Sequence, residues 1–503
     1  MDAWALLSVS DKRGLESLAQ SLTSHGLKLL ATSSTAAYLK EQGFQVKSVE
    51  DLTGFGEILD GRVKTLHPII YGGLLASSSE QHQAQRVAMQ APDIRVVVVN
   101  LYPFEEAWRA GQRDDALVEE IDIGGVSLIR AAAKNHERVA VLVTPDQYAA
   151  FVETPWPEQD VSFRRNLAVM AFEHVAYYDA VIAQGLAVDV RTWPDQLVLA
   201  GRQSTPLRYG ENPHQSGAFY HDPQGGGLAS ASVLQGKALS YNNYADADTA
   251  LRLVQDFALP AVVVVKHQTP CAAALADNIN EAYQRAHDAD PVSIFGGVVA
   301  VNRPIDPLLA AKLIDLFLEV IIAPSVEEQA KSILAKKKNL RVLVVPWTRL
   351  PGRDIKGIMG GFLIQEEDVF RVPIQDWQHA AGPDLAGRAA ERDLEVAWKT
   401  VARVKSNAIV VAKDGTTLGV AGGQTNRIDA ARQALDRAGE GARGAVLASD
   451  GFFPFGDVLE LCRERGIAVV VEPGGSMRDQ ESIDMANEAG ITLLLTGERH
   501  FRH

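Results

Sequence analysis

Cysteine is almost absent: the 503 residues contain two, Cys271 and Cys462. That number excludes a disulfide scaffold, and their separation fits no zinc-finger spacing. No segment approaches the roughly 20 uninterrupted apolar residues that a membrane-spanning helix requires. The start, Met1-Asp2-Ala3-Trp4, lacks a basic segment followed by an apolar core, so no signal peptide is expected. Positive charge is in deficit, with a formal net charge of −14. A general binder of nucleic acid or of anionic membrane is therefore excluded. Small anionic substrates stay open, because a local pocket can be basic on an acidic protein. The run Lys336-Lys337-Lys338 is short and reads as a solvated helix end. Low-complexity segments and exact internal repeats are also missing. The expectation is a cytoplasmic enzyme.

What is present is ample apolar material, 47% of residues, against 22% charged. A chain this long suggests two to four domains. Residues 5–9 and 27–31 read as strands. Residues 15–24 and 35–42 read as helices, the second ending at Gly43 as a C-terminal cap. Residues 96–99 and 139–143 read as strands buried on both faces. This β-α-β-α rhythm predicts a parallel sheet covered by helices. A boundary is expected near residues 190–205, where periodicity weakens. Beyond it, apolar strands are expected at 261–265, 297–301, 320–323, 340–345, 408–412, 445–448, 468–471 and 491–495. They suggest a larger α/β region, with two similar subdomains as an open option.

In the first part, two turns between strand and helix are rich in hydroxyls: Ser8-Val9-Ser10-Asp11-Lys12 and Thr32-Ser33-Ser34-Thr35. Free N–H groups at a helix start favour bound phosphate, although Ser and Thr there more often serve as plain caps. Gly61-Arg62-Val63-Lys64-Thr65-Leu66-His67-Pro68 gathers two cations, a hydroxyl and an imidazole in one loop. Asn100 and Tyr102 follow directly on a buried strand, where open α/β sheets bind ligands. Asp122 precedes the pair Gly124-Gly125, which permits close backbone approach. Arg130 and Lys134 share a helix face.

In this order, GRVKTLHP, NLYPF and IDIGG-x-S-x-IRAAAKN resemble the inosine-monophosphate cyclohydrolase domain, whose fold is similar to methylglyoxal synthase. The resemblance implies that Lys64, Tyr102, Asp122 and Lys134 surround the reacting atoms. It also implies that Ser10, Lys12, Arg62 and Thr65 hold the nucleotide, with Asn100 near them. The family often has Gly-Gly where this chain has Ser33-Ser34, and serine narrows the available backbone angles.

In the second part, residues 207–215 are dense in polar side chains and turn formers, which suits a ligand loop. Lys266-His267 ends a strongly apolar strand. Such a pair fits proton transfer beside an anion, though strands also end in solvated polar residues. Pro270-Cys271 raises zinc-dependent deamination. That chemistry needs H-x-E and P-C-x-x-C, and here Gln268, Thr269 and Ala274 break both motifs. A related fold without zinc stays open.

LRYG-x-NPHQ, LSYNN, VKH, SIFGG, KSNAIV, SDGFFPFGD, GGSMRD and the terminal RHFRH resemble the formyltransferase domain of the same bifunctional family. That family formylates aminoimidazole carboxamide ribonucleotide and closes it to inosine monophosphate. The resemblance implies that Lys266 and His267 are the catalytic pair and that Asn407 orients the amine or the formyl oxygen. Arg208 and Tyr209 would hold the ribonucleotide, with Asn243 at its base or ribose. Phe452, Asp457, Arg499 and Phe501 would complete the site or the folate pocket, and Ser476 is a weaker candidate. Cys271-Ala272-Ala273 departs from the family's usual glycine after this position. The expected fold is α/β. A parallel-sheet domain like methylglyoxal synthase would span residues 1–198. Residues 199–503 would form two cytidine-deaminase-like subdomains without zinc. The expected co-substrate is 10-formyltetrahydrofolate, with no metal required. The expected assembly is a homodimer, with neither nucleic acid nor membrane as partner.

Overall fold

Short runs of Val, Ile, Leu and Ala form the strands of both sheets. The computed structural model describes the chain except residues 1, 57, 60, 61, 64, 155, 157, 188–192, 348–351 and 386–387. The chain divides into two units, Met1–Arg202 and Gln203–His503.

The first unit contains β1 (Ala3–Ser8), β2 (Lys28–Ala31), β3 (Val46–Ser48), β4 (Asp93–Val99) and β5 (Ala140–Leu142). They form one sheet in the order β3-β2-β1-β4-β5, and every neighbouring pair is parallel. The parallel sheet expected from the sequence is present. The residues of β4 are almost all buried, as a strand covered on both faces by helices requires. The chain winds outward from β1 to β3 and returns to β4 on the other side of β1. The strand order therefore reverses between the carboxyl ends of β1 and β4, and such a crevice is where open α/β sheets bind ligands.

The second unit begins with a two-stranded ribbon of β6 (Arg202–Leu207) and β7 (Gly217–His221). Its main sheet has twelve strands. The first half comprises β8 (Ser232–Gln235), β9 (Ala261–Lys266), β10 (Thr269–Leu275), β11 (Val298–Val301), β12 (Val320–Ala323) and β13 (Arg341–Val344). A second ribbon, β14 (Arg353–Ile358) with β15 (Gly361–Glu366), interrupts the sequence. The second half comprises β16 (Gln378–Ala381), β17 (Ile409–Lys413), β18 (Thr416–Ala421), β19 (Val446–Ser449), β20 (Val469–Glu472) and β21 (Thr492–Leu495).

The strand order is β16-β21-β20-β19-β17-β18-β10-β9-β11-β12-β13-β8. It reads the same from both ends once each strand of one half is matched to its counterpart. The pairing directions match too. β9 is antiparallel to β10 and β11, with β11, β12 and β13 mutually parallel. β17 is antiparallel to β18 and β19, with β19, β20 and β21 mutually parallel. The halves meet through the antiparallel pair β10 and β18. The open option of two similar subdomains is thus a duplicated half-sheet.

Alternation divides the core of this unit. Val263 and Val265 face a layer shared by helices Tyr241–Gln255 and Arg388–Val401, whereas Val262 and Val264 face a core private to the first half. A third core lies on the corresponding face of the second half. Following the directions across the sheet, the carboxyl ends of β9, β18, β19, β20 and β21 share one edge with the starts of β10 and β17. Lys266, His267, Asn407, Phe452, Asp457, Arg499 and Phe501 lie at or beyond this edge.

Candidate active sites

At the crevice of the first unit, Asn100 donates its backbone N–H to Ser8 O (3.1 Å), and Ser10 Oγ donates to Leu101 O (3.3 Å). The ends of β1 and β4 are thereby tied together. Asn100 is buried. Its Nδ2 donates to Val143 O (3.3 Å) and Tyr148 Oη (3.5 Å), while its Oδ1 accepts from no described residue. A buried acceptor left open at a ligand crevice marks a place for a donor. The Lys12 ammonium turns inward, donating to Val9 O and to Thr35 Oγ1 (3.2 Å), and burial lowers its pKa. Thr35 is fully buried and pairs with both the N–H and the carbonyl of Val9.

Ser33 and Ser34 open the helix Ser33–Glu41, and neither has a positive φ. The backbone there needs no glycine, so this departure from the family pattern causes no strain. The Ser33 hydroxyl donates to Glu50 Oε1 (2.9 Å).

Asp122 Oδ1 accepts from Gly125 N (2.6 Å), and Asp122 N donates to Tyr178 Oη (2.9 Å). Tyr178, missed in the sequence, thus fixes this turn from the long helix Val161–Leu186. The glycine pair permits a close approach by the protein's own side chains. A Cβ at Gly124 would lie 2.6 Å from Thr65 Oγ1, and one at Gly125 would lie 2.4 Å from Asp122 Oδ2 and 2.8 Å from Leu101. Thr65 and Asp122 are therefore neighbours. Tyr102, two residues beyond Asn100, is substantially exposed.

Two cations stand differently. Arg62 pairs with Glu119 on the surface. Lys134 is exposed at the C-terminal end of the helix Gly124–Lys134. At ~1.5 Å per residue, about 15 Å of helix lies between Gly124 and Lys134. Lys64 lies outside the described residues. His67 caps the helix Pro68–Leu75, its ring accepting from Ile69 N (3.3 Å).

In the second unit, Lys266 pairs with Thr269 across β9 and β10, so His267 and Gln268 are the two central residues of the turn. Both adopt left-handed backbone, φ 55° and 58°. That is a type I′ turn made without glycine, asparagine or aspartate. Non-glycine residues in this region cost roughly 1–2 kcal/mol each, and such costs cluster at functional sites. Gln268 N donates to Asp246 Oδ1 (2.6 Å). Asp246 stands one turn after Asn243 on the helix Tyr241–Gln255. Asn243 is buried in a capping box, with Ser240 N donating to its Oδ1 (3.1 Å) and its own N–H donating to Ser240 Oγ (3.2 Å). Asn242 donates to Glu211 O (3.3 Å), which brings the 207–215 loop to the same helix start. Within that loop the Arg208 guanidinium lies 5.7 Å from the Tyr209 ring centre. Cys271, Ala272 and Ala273 form part of β10, and Ala272 and Ala273 are fully buried. No glycine is needed there.

Asn407 is held by a network that the sequence did not reveal. Its Nδ2 donates to Gln424 O (3.0 Å), and its Oδ1 accepts from Arg427 Nη2 (2.8 Å). Arg427 also binds Ser449 Oγ (2.8 Å) and ion-pairs with Asp450, which is fully buried. Asp450 accepts from Ala408 N (3.1 Å) and from Ser406 Oγ. Phe501 packs over Gly451, where a Cβ would meet its ring at 2.5 Å and Arg427 Nη2 at 2.7 Å. The Arg499 guanidinium lies 4.7 Å from the Phe501 ring centre. Phe452 and Asp457 are exposed at the same edge, and Ser476 N donates to Asp479 Oδ1 (2.9 Å). Asn407 and the Lys266-His267 pair lie three strand spacings apart, about 14 Å at ~4.8 Å per spacing. Lys266 Nζ donates to Phe295 O (3.0 Å), on the β11 side of β9 and away from Asn407.

Each unit gathers candidate chemistry at one edge of its own sheet, and the class so defined is a two-part α/β enzyme. Residues 132–437 match the family described as AICARFT/IMPCHase bienzyme, and residues 14–127 match the MGS-like domain. The chain is similar to the bifunctional purine biosynthesis protein PurH of Anoxybacillus flavithermus, 46% identical over 99% of both chains. The PurH of Corynebacterium glutamicum is 47% identical over 99% of this chain and 98% of the relative. That of Halalkalibacterium halodurans is 45% identical over 99% of both. The chain belongs to the AICARFT/IMPCHase bienzyme family, and its first unit has the MGS-like fold.

Proposed function

We propose how the residues above divide the work of the two activities that the family defines. The chain is a bifunctional enzyme of purine biosynthesis, a formyltransferase for aminoimidazole carboxamide ribonucleotide joined to an inosine-monophosphate cyclohydrolase. The observation that carries this is identity near 46% along 99% of the chain, with both family matches in order.

The formyl donor is folate-type, and 10-formyltetrahydrofolate is our assignment. The 5-amino group is a poor nucleophile, conjugated through the ring with the carboxamide. It loses its proton as it attacks, and His267, as a neutral imidazole, accepts it. The formyl oxygen becomes anionic in the tetrahedral intermediate. Lys266 and Asn407 stabilise it until the bond from the formyl carbon to N10 breaks, and the protonated His267 returns its proton to N10 of the departing tetrahydrofolate. Arg208, Tyr209 and Asn243 bind the ribonucleotide, while Phe452, Asp457, Arg499 and Phe501 complete the site or the folate pocket. No step requires a metal. In the second reaction the carboxamide nitrogen attacks the new formyl carbon and water leaves. Both reacting groups belong to one molecule, so orienting them is much of the task. Asp122 orients or deprotonates the amide, while Lys64 and Tyr102 support the formyl oxygen. Ser10, Lys12, Arg62, Thr65 and Asn100 hold the nucleotide. Lys134 enters by resemblance alone, from the far end of its helix.

Cyclohydrolase activity is assigned to residues 1–198 and formyl transfer to 199–503, acting in the cytoplasm. The two halves of the second unit are assigned as cytidine-deaminase-like subdomains without zinc. A homodimer is part of the proposal. The ribbon of β14 and β15 exposes Ile355, Ile358, Met359, Phe362 and Leu363, and a lone two-stranded ribbon is only marginally stable in water. We assign a second copy of the chain as the cover of this ribbon, with one chain's Lys266-His267 meeting the other's Asn407 as part of the same proposal.

The test supplies the full chain with ribonucleotide and 10-formyltetrahydrofolate and follows nucleotide products by chromatography. Inosine monophosphate with stoichiometric tetrahydrofolate is expected. Accumulation of unchanged ribonucleotide refutes the donor assignment.

A further inference from the structure

The duplicated half-sheet supplies its own control for the turn that carries His267. In the second half the matching turn lies between β17 and β18, where Lys413 pairs with Thr416 and the central residues are Asp414 and Gly415. Their φ values are 54° and 71°, so the two turns share one conformation. Asp-Gly is among the sequences that form this turn readily, and His-Gln is not. Gly415 N donates to Asp393 Oδ1 (2.5 Å), and Asp393 lies on the helix Arg388–Val401 that matches Tyr241–Gln255. Gln268 N donates to Asp246 Oδ1 (2.6 Å) in the same way. One clamp therefore serves both halves: a helix aspartate grips the N–H of the second turn residue. In the second half it holds a turn that glycine already favours. In the first half it holds two residues that do not favour left-handed backbone.

We infer that Asp246 is a positioning residue for formyl transfer, holding the imidazole of His267 in place by clamping Gln268 N–H. The inference rests on the proposed role of His267. A strained segment persists only where its surroundings over-determine it, and the Asp246 carboxylate is the charge-assisted acceptor that does so here. Asp246 touches no reacting atom in this account. Its loss lets the turn relax and moves the imidazole off line without removing it.

The experiment measures formyl transfer in the full chain for Asp246→Ala, Asp246→Asn, His267→Ala and the double variant Asp246→Ala/His267→Ala. Cyclisation of supplied formylated ribonucleotide is followed in each. For Asp246→Ala, kcat for formyl transfer is expected to fall about 10- to 100-fold with little change in KM for the ribonucleotide, since misplacing a reacting group by an ångström costs rates of this order. Asp246→Asn keeps an acceptor and should recover most of the loss. The double variant should be no worse than His267→Ala alone, and cyclisation should be unchanged throughout. Wild-type kcat in Asp246→Ala, no recovery with Asn, or a further loss in the double variant overturns the inference. Should His267→Ala itself transfer formyl at the wild-type rate, the reading of the site fails first, and that failure is visible separately.

Discussion

Arg427 and Asp450 form an ion pair almost wholly out of water, and Asn407 takes its orientation from it. Removing one member of such a pair leaves the other charge buried, which costs about 3–5 kcal/mol. Asp450→Ala should therefore lower stability by that order in urea unfolding and abolish formyl transfer with it. Glu472 is a second buried group at the same edge. Its Oε2 accepts from Phe453 N (2.6 Å), and burial pushes its carboxyl from 4.5 up to about 8. Because the folded chain holds this proton more tightly than the unfolded chain, its contribution to stability is complete below pH 4.5 and is lost as pH rises to about 8. Glu472→Gln should flatten that part of the stability profile and gain on the order of 2 kcal/mol near neutral pH. Unfolding midpoints across this pH interval check both statements. Neither role was legible in the sequence. The motif SDGFFPFGD marks Asp450 as part of a site, but which groups it pairs with depends on residues more than twenty positions away.

At the scale of elements, the buried strands were legible because β-branched runs suit a strand covered on both faces. β10 was not, since Thr269-Pro270-Cys271-Ala272-Ala273-Ala274-Leu275 carries proline and alanine, which are depleted in strands. β18 was hidden by Gly419, whose small size is needed because a Cβ there would lie 1.9 Å from Ala434 O in the covering helix. Gly419→Ala should destabilise the second unit by at least ~1–3 kcal/mol, measured by chemical denaturation. The turn at His267-Gln268 also escaped detection, because type I′ turns announce themselves through Asn, Asp and Gly. Its cost is testable. Gln268→Gly should raise stability by about 0.5–1 kcal/mol, by relieving the side chain in left-handed backbone.

For the molecule as a whole, the alternation of strands and helices was legible, and the duplication only as an open option of two similar subdomains. The halves share a topology without a repeated sequence, so only the strand order shows it. A gap of about 14 Å on one chain between Asn407 and Lys266-His267, three strand spacings, argues for a site shared by two copies. Mixed dimers of His267→Ala and Asn407→Ala should then regain formyl transfer, because one of their two sites is wild type. Mixtures that stay inactive after subunit exchange contradict a shared site. The central claim is that two separate sites act in series on one nucleotide. Its most direct test follows ribonucleotide, formylated intermediate and inosine monophosphate in wild type, Lys64→Ala and His267→Ala. The account predicts inosine monophosphate from wild type, accumulated intermediate from Lys64→Ala and no intermediate from His267→Ala. A Lys64→Ala chain that still makes inosine monophosphate at the wild-type rate, or a His267→Ala chain that still forms the intermediate, would contradict it.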